Sequence, residues 1–178
     1  MLKINNNKFG GQINLSYISD MNIFVLDKDV TKCAEYHNDK HVVKMVLETA
    51  QLLCGVHHVI ENKLDIPYRL SHKNHPCSIW ARECIENYIW LCDFGIELAK
   101  EYTFRYGKRH KCQDVIEWCI ENTPELRENG DLTSFALAMP VDYKSSDAVE
   151  SYRTYYMMDK PHIANWKNRK KPAWFNVL

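Results

Sequence analysis

"HNDKHVVKMVLETAQ", His37–Gln51, is the stretch on which the reading of the chain turns. Val42, Met45, Val46 and Thr49, continued by Leu53, recur at three- and four-residue spacing. That is the period of an α-helix with one apolar face. Beside this face runs a second stripe. His41, Lys44, Glu48 and Gln51 stand at i, i+3, i+7 and i+10, with His37 one turn upstream. Solvated stripes are usually made of Lys and Glu, and a histidine within one is less usual. Two readings follow. A Lys44–Glu48 pair on an exposed face contributes only about 0.2–0.5 kcal/mol. An imidazole, an ammonium and a carboxylate gathered on the floor of an active site can instead hold a general base or stabilise a cationic intermediate.

Working outward, the helix is expected to start near Asp29, break or kink at Asn38-Asp39, and run from Asp39 to about His58. Upstream, "MNIFVLD" from Met21 is a compact apolar run that forms a strand or fills the core. Residues 1–20 are polar and read as a loosely attached extension, with "INLSYI" as a candidate short strand. Downstream, "IPYRLSHKNHPC" is a loop, with Asn74 placed to cap the next helix and Pro76 in its first turn. That helix is expected over Pro76–Arg105, presenting Trp80, Ile85, Tyr88, Leu91, Cys92 and Leu98 and ending at Gly107. "CQDVIEWCIEN" reads as a shorter helix, "PELRENGDLTSFALAMP" as a connector turning at Asn129-Gly130, and "SDAVESYRTYYMMDK" as a helix capped by Ser146 or Asp147. The expected fold is mainly α: a compact single-domain helical bundle over residues 21–178. Its two long central helices, roughly 39–58 and 76–105, pack through Val42, Met45, Val46, Leu53, Ile85 and Leu91, with little or no sheet.

Composition narrows the class. A chain of 178 residues with five Trp and ten Tyr can bury a real core. No apolar run approaches the roughly 18 residues that span a bilayer, and the N-terminus lacks a signal peptide's apolar segment. A protein of the cytoplasm without a membrane partner is expected. Seven cysteines with no CxxC pair, most of them inside helical patterns, read as buried reduced thiols. A formal net charge of zero argues against coating nucleic acid by charge alone. "KEYTFRYGKRHK" and "KPHIANWKNRKK" are nevertheless basic and "DVIEWCIENTPELRENGD" acidic, so one positive face is possible.

Other clusters carry chemistry in one reading and architecture in another. His72 and His75 sit at a loop-to-helix junction and, with His37 and His41, could ligate a metal. The spacing matches no tight ligand motif, so no metal or cofactor is assigned and His75 reads as a cap or loop contact. Arg105, Lys108, Arg109 and Lys111 suit phosphate, with Tyr102, Phe104 and Tyr106 as stacking surfaces. Equally, they compensate a helix C-terminus. In the tail, Lys167, Arg169 and Lys170 lie among Trp166, Trp174 and Phe175, which bind DNA or simply dock on the core. "YRTYY" reads more naturally as core than as a base-stacking platform.

"MNIFVLD", "DKHVVKMVLETAQLL", "HKNHPCSIWARE", "EYTFRYGKRHK", "LTSFALAMP" and "SYRTYY" together resemble a family of phage-encoded and bacterial proteins, some of them described as pyrimidine-dimer DNA glycosylases. The resemblance runs from Met21 to about Phe175. The better understood pyrimidine-dimer glycosylases are small and all-α, remove a damaged base through an imine, and cleave the abasic strand by β-elimination. Their first long helix carries a His followed seven residues later by a catalytic Glu, a spacing that His41 and Glu48 match. The resemblance implies Glu48 as the group that stabilises the sugar cation and shuttles protons, with His41 on the DNA side. It implies DNA, duplex by preference, as partner, and a bacterial host cytoplasm if the protein is phage-encoded. The family's nucleophile is the α-amine left when the initiator Met is removed before a small residue. Here Met1 precedes Leu2 and Met21 precedes Asn22, neither a favourable context. Lys44, or less well Lys40, is then the substitute amine, with His37, His75 and Gln51 as further pocket candidates. DNA contact is expected through Arg105, Lys108, Arg109, Lys167, Arg169 and Lys170. The rival readings are a DNA- or nucleotide-modifying transferase and a non-catalytic helical module that binds DNA or a host protein.

Overall fold

The computed structural model describes residues 21–60 and 65–176. Six helices follow in chain order: α1 (Val30–Tyr36), α2 (Asp39–Ile60), α3 (Pro76–Ala81), α4 (Ile85–Tyr106), α5 (Gln113–Glu121) and α6 (Ala148–Asp159). Short 3-10 turns lie at Val141–Tyr143 and Pro161–Ile163, and the described residues contain no strand. The expected extension at residues 1–20, with its candidate strand, lies outside the described residues.

The boundary inside the opening stretch has a local cause. Asp29 caps α1 by accepting from the Lys32 amide at 2.9 Å. His37 then turns to extended backbone, and the Asn38 side chain accepts from the His41 amide at 3.0 Å. An Asx side chain supplying a partner for a first-turn donor is what starts a helix. The apolar run Met21–Leu26 forms no strand. It threads through the interior, with every residue buried.

The expected helix over 76–105 is in fact two. His75, not Asn74, caps α3, its Nδ1 accepting from the Cys77 amide at 3.2 Å. The chain leaves the helix at Arg82–Cys84, where long-range partners replace intrahelical ones. Arg127 Nε donates to the Glu83 carbonyl at 2.8 Å, the Ile85 amide donates to the Arg127 carbonyl at 3.0 Å, and Asn87 Nδ2 donates to the Trp80 carbonyl at 2.9 Å. Helical periodicity continues through such a break, because the apolar residues still face the same core.

The contact between α2 and α4 is the most extensive between any two helices. Val42, Met45, Val46, Leu53, Leu91 and Leu98 are all at most 1% exposed, with Ile85 partly buried at the edge. The helices approach closely at Gly95, where an added Cβ would lie 2.7 Å from Thr49 Cγ2 and 3.0 Å from Ile116 Cδ1. Gly107 ends α4 with φ of 67°, a left-handed position suited to glycine. The connector after α5 lays Phe135 against Trp80 and Trp90, with ring centroids 5.1 and 4.8 Å away. In the tail, Trp166 donates to the Tyr36 carbonyl at 2.9 Å and packs edge-on against Phe175. All seven cysteines are buried and unbridged. Cys54 and Cys119 bring their sulfurs to 4.0 Å across α2 and α5.

Two substitutions test this packing. Leu91→Ala should lower the unfolding free energy by about 2–5 kcal/mol through lost burial and the cavity left behind. Gly95→Ala, a change that normally favours a helix, should instead cost about 1–3 kcal/mol by overpacking against the stiff Thr49 side chain. Denaturant titration measures both, and a stabilised Gly95→Ala protein would contradict the close approach.

Candidate active site

The stripe on α2 does not face one environment. Glu48 is 5% exposed, whereas the Lys44 side chain, one turn away, is 41% exposed. Lys44 Nζ lies 3.0 Å from Glu48 Oε1. The Asn22 backbone amide donates to Glu48 Oε2 at 3.0 Å. Both oxygens are therefore engaged, one by a cation that reaches solvent and one by a fixed dipole from the buried N-terminal run. Glu48 is thus no member of a solvated exterior, and Gln51 is half-buried further along the same helix.

Asn22 is held in turn by a polar cluster. Its Oδ1 accepts from Tyr152 Oη at 2.9 Å and lies 3.9 Å from Cys77 Sγ, while its Nδ2 donates to the Ala138 carbonyl at 2.8 Å. Burial, with the nearby Glu48 charge adding to it, pushes the Cys77 thiol up to about 12, so it stays protonated. His75, the α3 cap two residues before Cys77, is held below its ordinary range by partial burial and then by His72.

His41 departs from expectation. The structure turns it inward at 6% exposure, stacked on Phe24 with centroids 4.5 Å apart. Its Nδ1 lies 2.5 Å from Tyr156 Oη. Burial, reinforced by His37, Lys160 and Lys44, keeps it well below its ordinary pKa. It is an inward-facing, neutral imidazole, where the resemblance implied a place on the DNA side. His37 lies deeper, fully buried and lowered to about 4, chiefly by burial. Its Nδ1 donates to the Cys33 carbonyl at 2.7 Å, as a neutral imidazole can.

The family model described as pyrimidine dimer DNA glycosylase matches residues 21–114, slightly more than half of the chain. The chain belongs to the pyrimidine dimer DNA glycosylase family. Comparisons with curated proteins and with solved structures return no match. The family match takes in Asn22, His41, Lys44, Glu48 and Cys77, while Ala138, Tyr152 and Tyr156 fall beyond it.

For a glycosylase-family chain, the expected DNA-facing cations sort into three groups. Arg105 must be withdrawn from that set. It is 1% exposed, and its guanidinium donates to Glu101 at 2.6 Å, to Asp39 at 2.9 Å and to the Glu35 carbonyl at 3.0 Å. A buried guanidinium so engaged has no face left for phosphate. Arg109 is exposed and Arg169 half-buried, and both are bonded to carboxylates, Arg109 to Asp114 and Glu117, Arg169 to Glu101 and Glu35. Lys108, Lys167 and Lys170 are exposed, with Lys167 Nζ 5.3 Å above the Tyr106 ring. Among the described residues, no three His, Cys, Asp or Glu side chains gather in a metal-holding arrangement. An open cleft of about 720 Å³ between Asp27, Arg153, Met157 and Trp174 includes no residue of the stripe. Sequence patterning misses Asn22, Cys77 and Tyr152 as partners of the site, because their convergence is set by tertiary contacts.

The buried histidines give a pH signature. The unfolded chain protonates His37 near 6.5, whereas the folded chain resists to about 4. The unfolded state thus binds more protons between these values. The stability contribution is complete above about 6.5 and is lost as pH falls toward 4, on the order of 3 kcal/mol for this group. His41 adds in the same direction. Urea titrations at about pH 7 and about pH 5 should show the loss before most carboxylates titrate. Equal stability at the two pH values would show that these imidazoles are not buried and neutral.

Proposed function

We propose that this protein removes a damaged pyrimidine from DNA, with Glu48 stabilising positive charge on the sugar and Lys44 supplying the amine that captures it. The observation that carries this reading is the 3.0 Å approach of Lys44 Nζ to a carboxylate that is itself buried. In such a site, the C1′–N bond of the damaged nucleotide breaks and its electron pair leaves with the base, which takes up a proton. Lys44 Nζ gives up its ammonium proton to water and adds to C1′; a second proton passes from the nitrogen through Glu48 to O4′ as the sugar ring opens, and the imine forms. Removal of a C2′ proton then expels the 3′ phosphate. A fixed carboxylate beside developing positive charge is effective because it need not reorganise during the reaction. The target nucleotide must leave the duplex to reach these groups. The exposed Lys108, Lys167 and Lys170 are the cations placed to meet phosphate.

A second amine is favoured by one distance. The Asn22 nitrogen lies 3.0 Å from Glu48 Oε2, and the family match begins at residue 21. As an amide, that nitrogen is no nucleophile. Cleavage between Met21 and Asn22 would turn it into an α-amine already in contact with the carboxylate.

Glu48→Gln keeps shape and one hydrogen-bonding oxygen but removes the charge. Base release from ultraviolet-damaged duplex should fall about 100- to 1,000-fold, equivalent to about 3–4 kcal/mol, with DNA affinity retained. Borohydride should cross-link the wild-type protein to DNA. Lys44→Ala should abolish the adduct, whereas an adduct mapped to Asn22 would move the nucleophile to the α-amine. Unchanged base release in Glu48→Gln would defeat the assignment, and DNA binding without either reaction would leave a non-catalytic module.

A further inference from the structure

The part of the chain beyond the family match reaches back to the candidate carboxylate through one residue. Asn22 presents its backbone amide to Glu48 Oε2. A backbone donor points where its residue is held, and the Asn22 side chain is held on every polar atom. Oδ1 takes the Tyr152 hydroxyl at 2.9 Å and the Ile23 amide at 2.9 Å, and Nδ2 gives to the Ala138 carbonyl at 2.8 Å. Tyr152 is tied to the same connector. Its single hydroxyl proton is shared between Asn22 Oδ1 and the Ala136 carbonyl 2.7 Å away, and its oxygen receives the Ala138 amide at 3.3 Å. Asn22 is 6% exposed and Tyr152 fully buried, so water does not compete for these bonds.

We infer that Tyr152 and the Ala136–Ala138 connector form a lock that positions Glu48 by fixing the Asn22 amide against Oε2. Tyr152 is a positioning residue, since it touches Asn22 and not the carboxylate. The lock explains why an asparagine sits among apolar neighbours in the run Met21–Leu26: a buried amide side chain is costly there unless each group is matched. It also gives α6 a place in the site although no residue of that helix contacts Glu48 in the bonds described above. Without the lock, the Glu48 carboxylate would keep its Lys44 contact and lose the fixed Asn22 donor.

The inference rests on the proposed role of Glu48 for its catalytic consequence, but the lock has a readout of its own. In the full-length chain, Tyr152→Phe removes the hydroxyl and keeps the ring, and Asn22→Leu removes the side-chain bonds while keeping the backbone amide. Amide hydrogen exchange followed by NMR should show the residue-22 amide exchanging at least about tenfold faster in both variants, with amides in the middle of α4 still protected. On damaged duplex, Tyr152→Phe should lower kcat about tenfold with DNA affinity unchanged. Leu98→Ala, a core change in α4 that makes none of these bonds, serves as a control for destabilisation and should leave the residue-22 amide as protected relative to the amides of α2 as in the wild type. An unchanged residue-22 exchange rate in both variants overturns the lock, whatever the activity shows. Faster exchange with unaltered kcat, where Glu48→Gln does abolish base release, overturns the positioning role. Faster exchange where Glu48→Gln changes nothing supports the lock and refutes the catalytic reading of Glu48 instead.

Discussion

The buried guanidinium of Arg105 is the constraint around which the two long helices and the tail are arranged. A cation at 1% exposure is tolerable only if it is well matched, and the matching comes from three segments. Glu101 contributes from one turn back on α4, Glu35 from α1 through its carbonyl, and Asp39 from the start of α2. The Asp39 carboxylate also receives Asn165 Nδ2 and the Lys167 amide, which brings the tail to the same point. Burial alone would raise the Glu101 carboxyl, but hydrogen bonds from Arg169 and Arg105 outweigh it and hold the group below its usual range. Taking away one partner of such a group leaves a charge stranded, which typically costs about 3–5 kcal/mol. The register of α2 against α4, and so the position of the Lys44–Glu48 turn, follows from this node.

The same node shows where sequence reading succeeds and where it stops. The 39–58 helix is legible because apolar period, the break at Asn38-Asp39 and a length of several turns agree. The interruption at Arg82–Cys84 is not, since its cause is the Arg127 carbonyl more than 40 positions away in the chain. "FRYGKRHK" has the composition of an exposed phosphate-binding turn, and Lys108 and Arg109 do lie at the surface. Arg105 goes inward instead because a helix of 3.6 residues per turn aims it at the α1–α2 corner, a fact invisible until that corner is placed. For the candidate site, the juxtaposition of Lys44 and Glu48 was readable from i,i+4 spacing. The burial of one and exposure of the other was not, and neither was the inward turn of His41.

Those differences matter chemically. A wholly exposed ion pair is screened and mobile. A wholly buried one is costly and static. The arrangement here lies between: the carboxylate is sheltered and held by a backbone dipole, while the ammonium stands at the rim. Neutral His41, stacked on Phe24 and joined to Tyr156, lines the inner side without adding charge. In the proposed reaction this asymmetry lets the carboxylate stay fixed while the amine reaches outward.

The seven buried thiols have a consequence for how the molecule can be observed. They are spread over α1, α2, α3, α4, α5 and the segments leading into α4 and α5, and each is at most 7% exposed. A thiol enclosed in this way reacts with a bulky reagent only while the chain around it is open. The cysteines therefore act as built-in clocks distributed through the fold. The order in which they become modified under native conditions would rank the helices by how often each one opens.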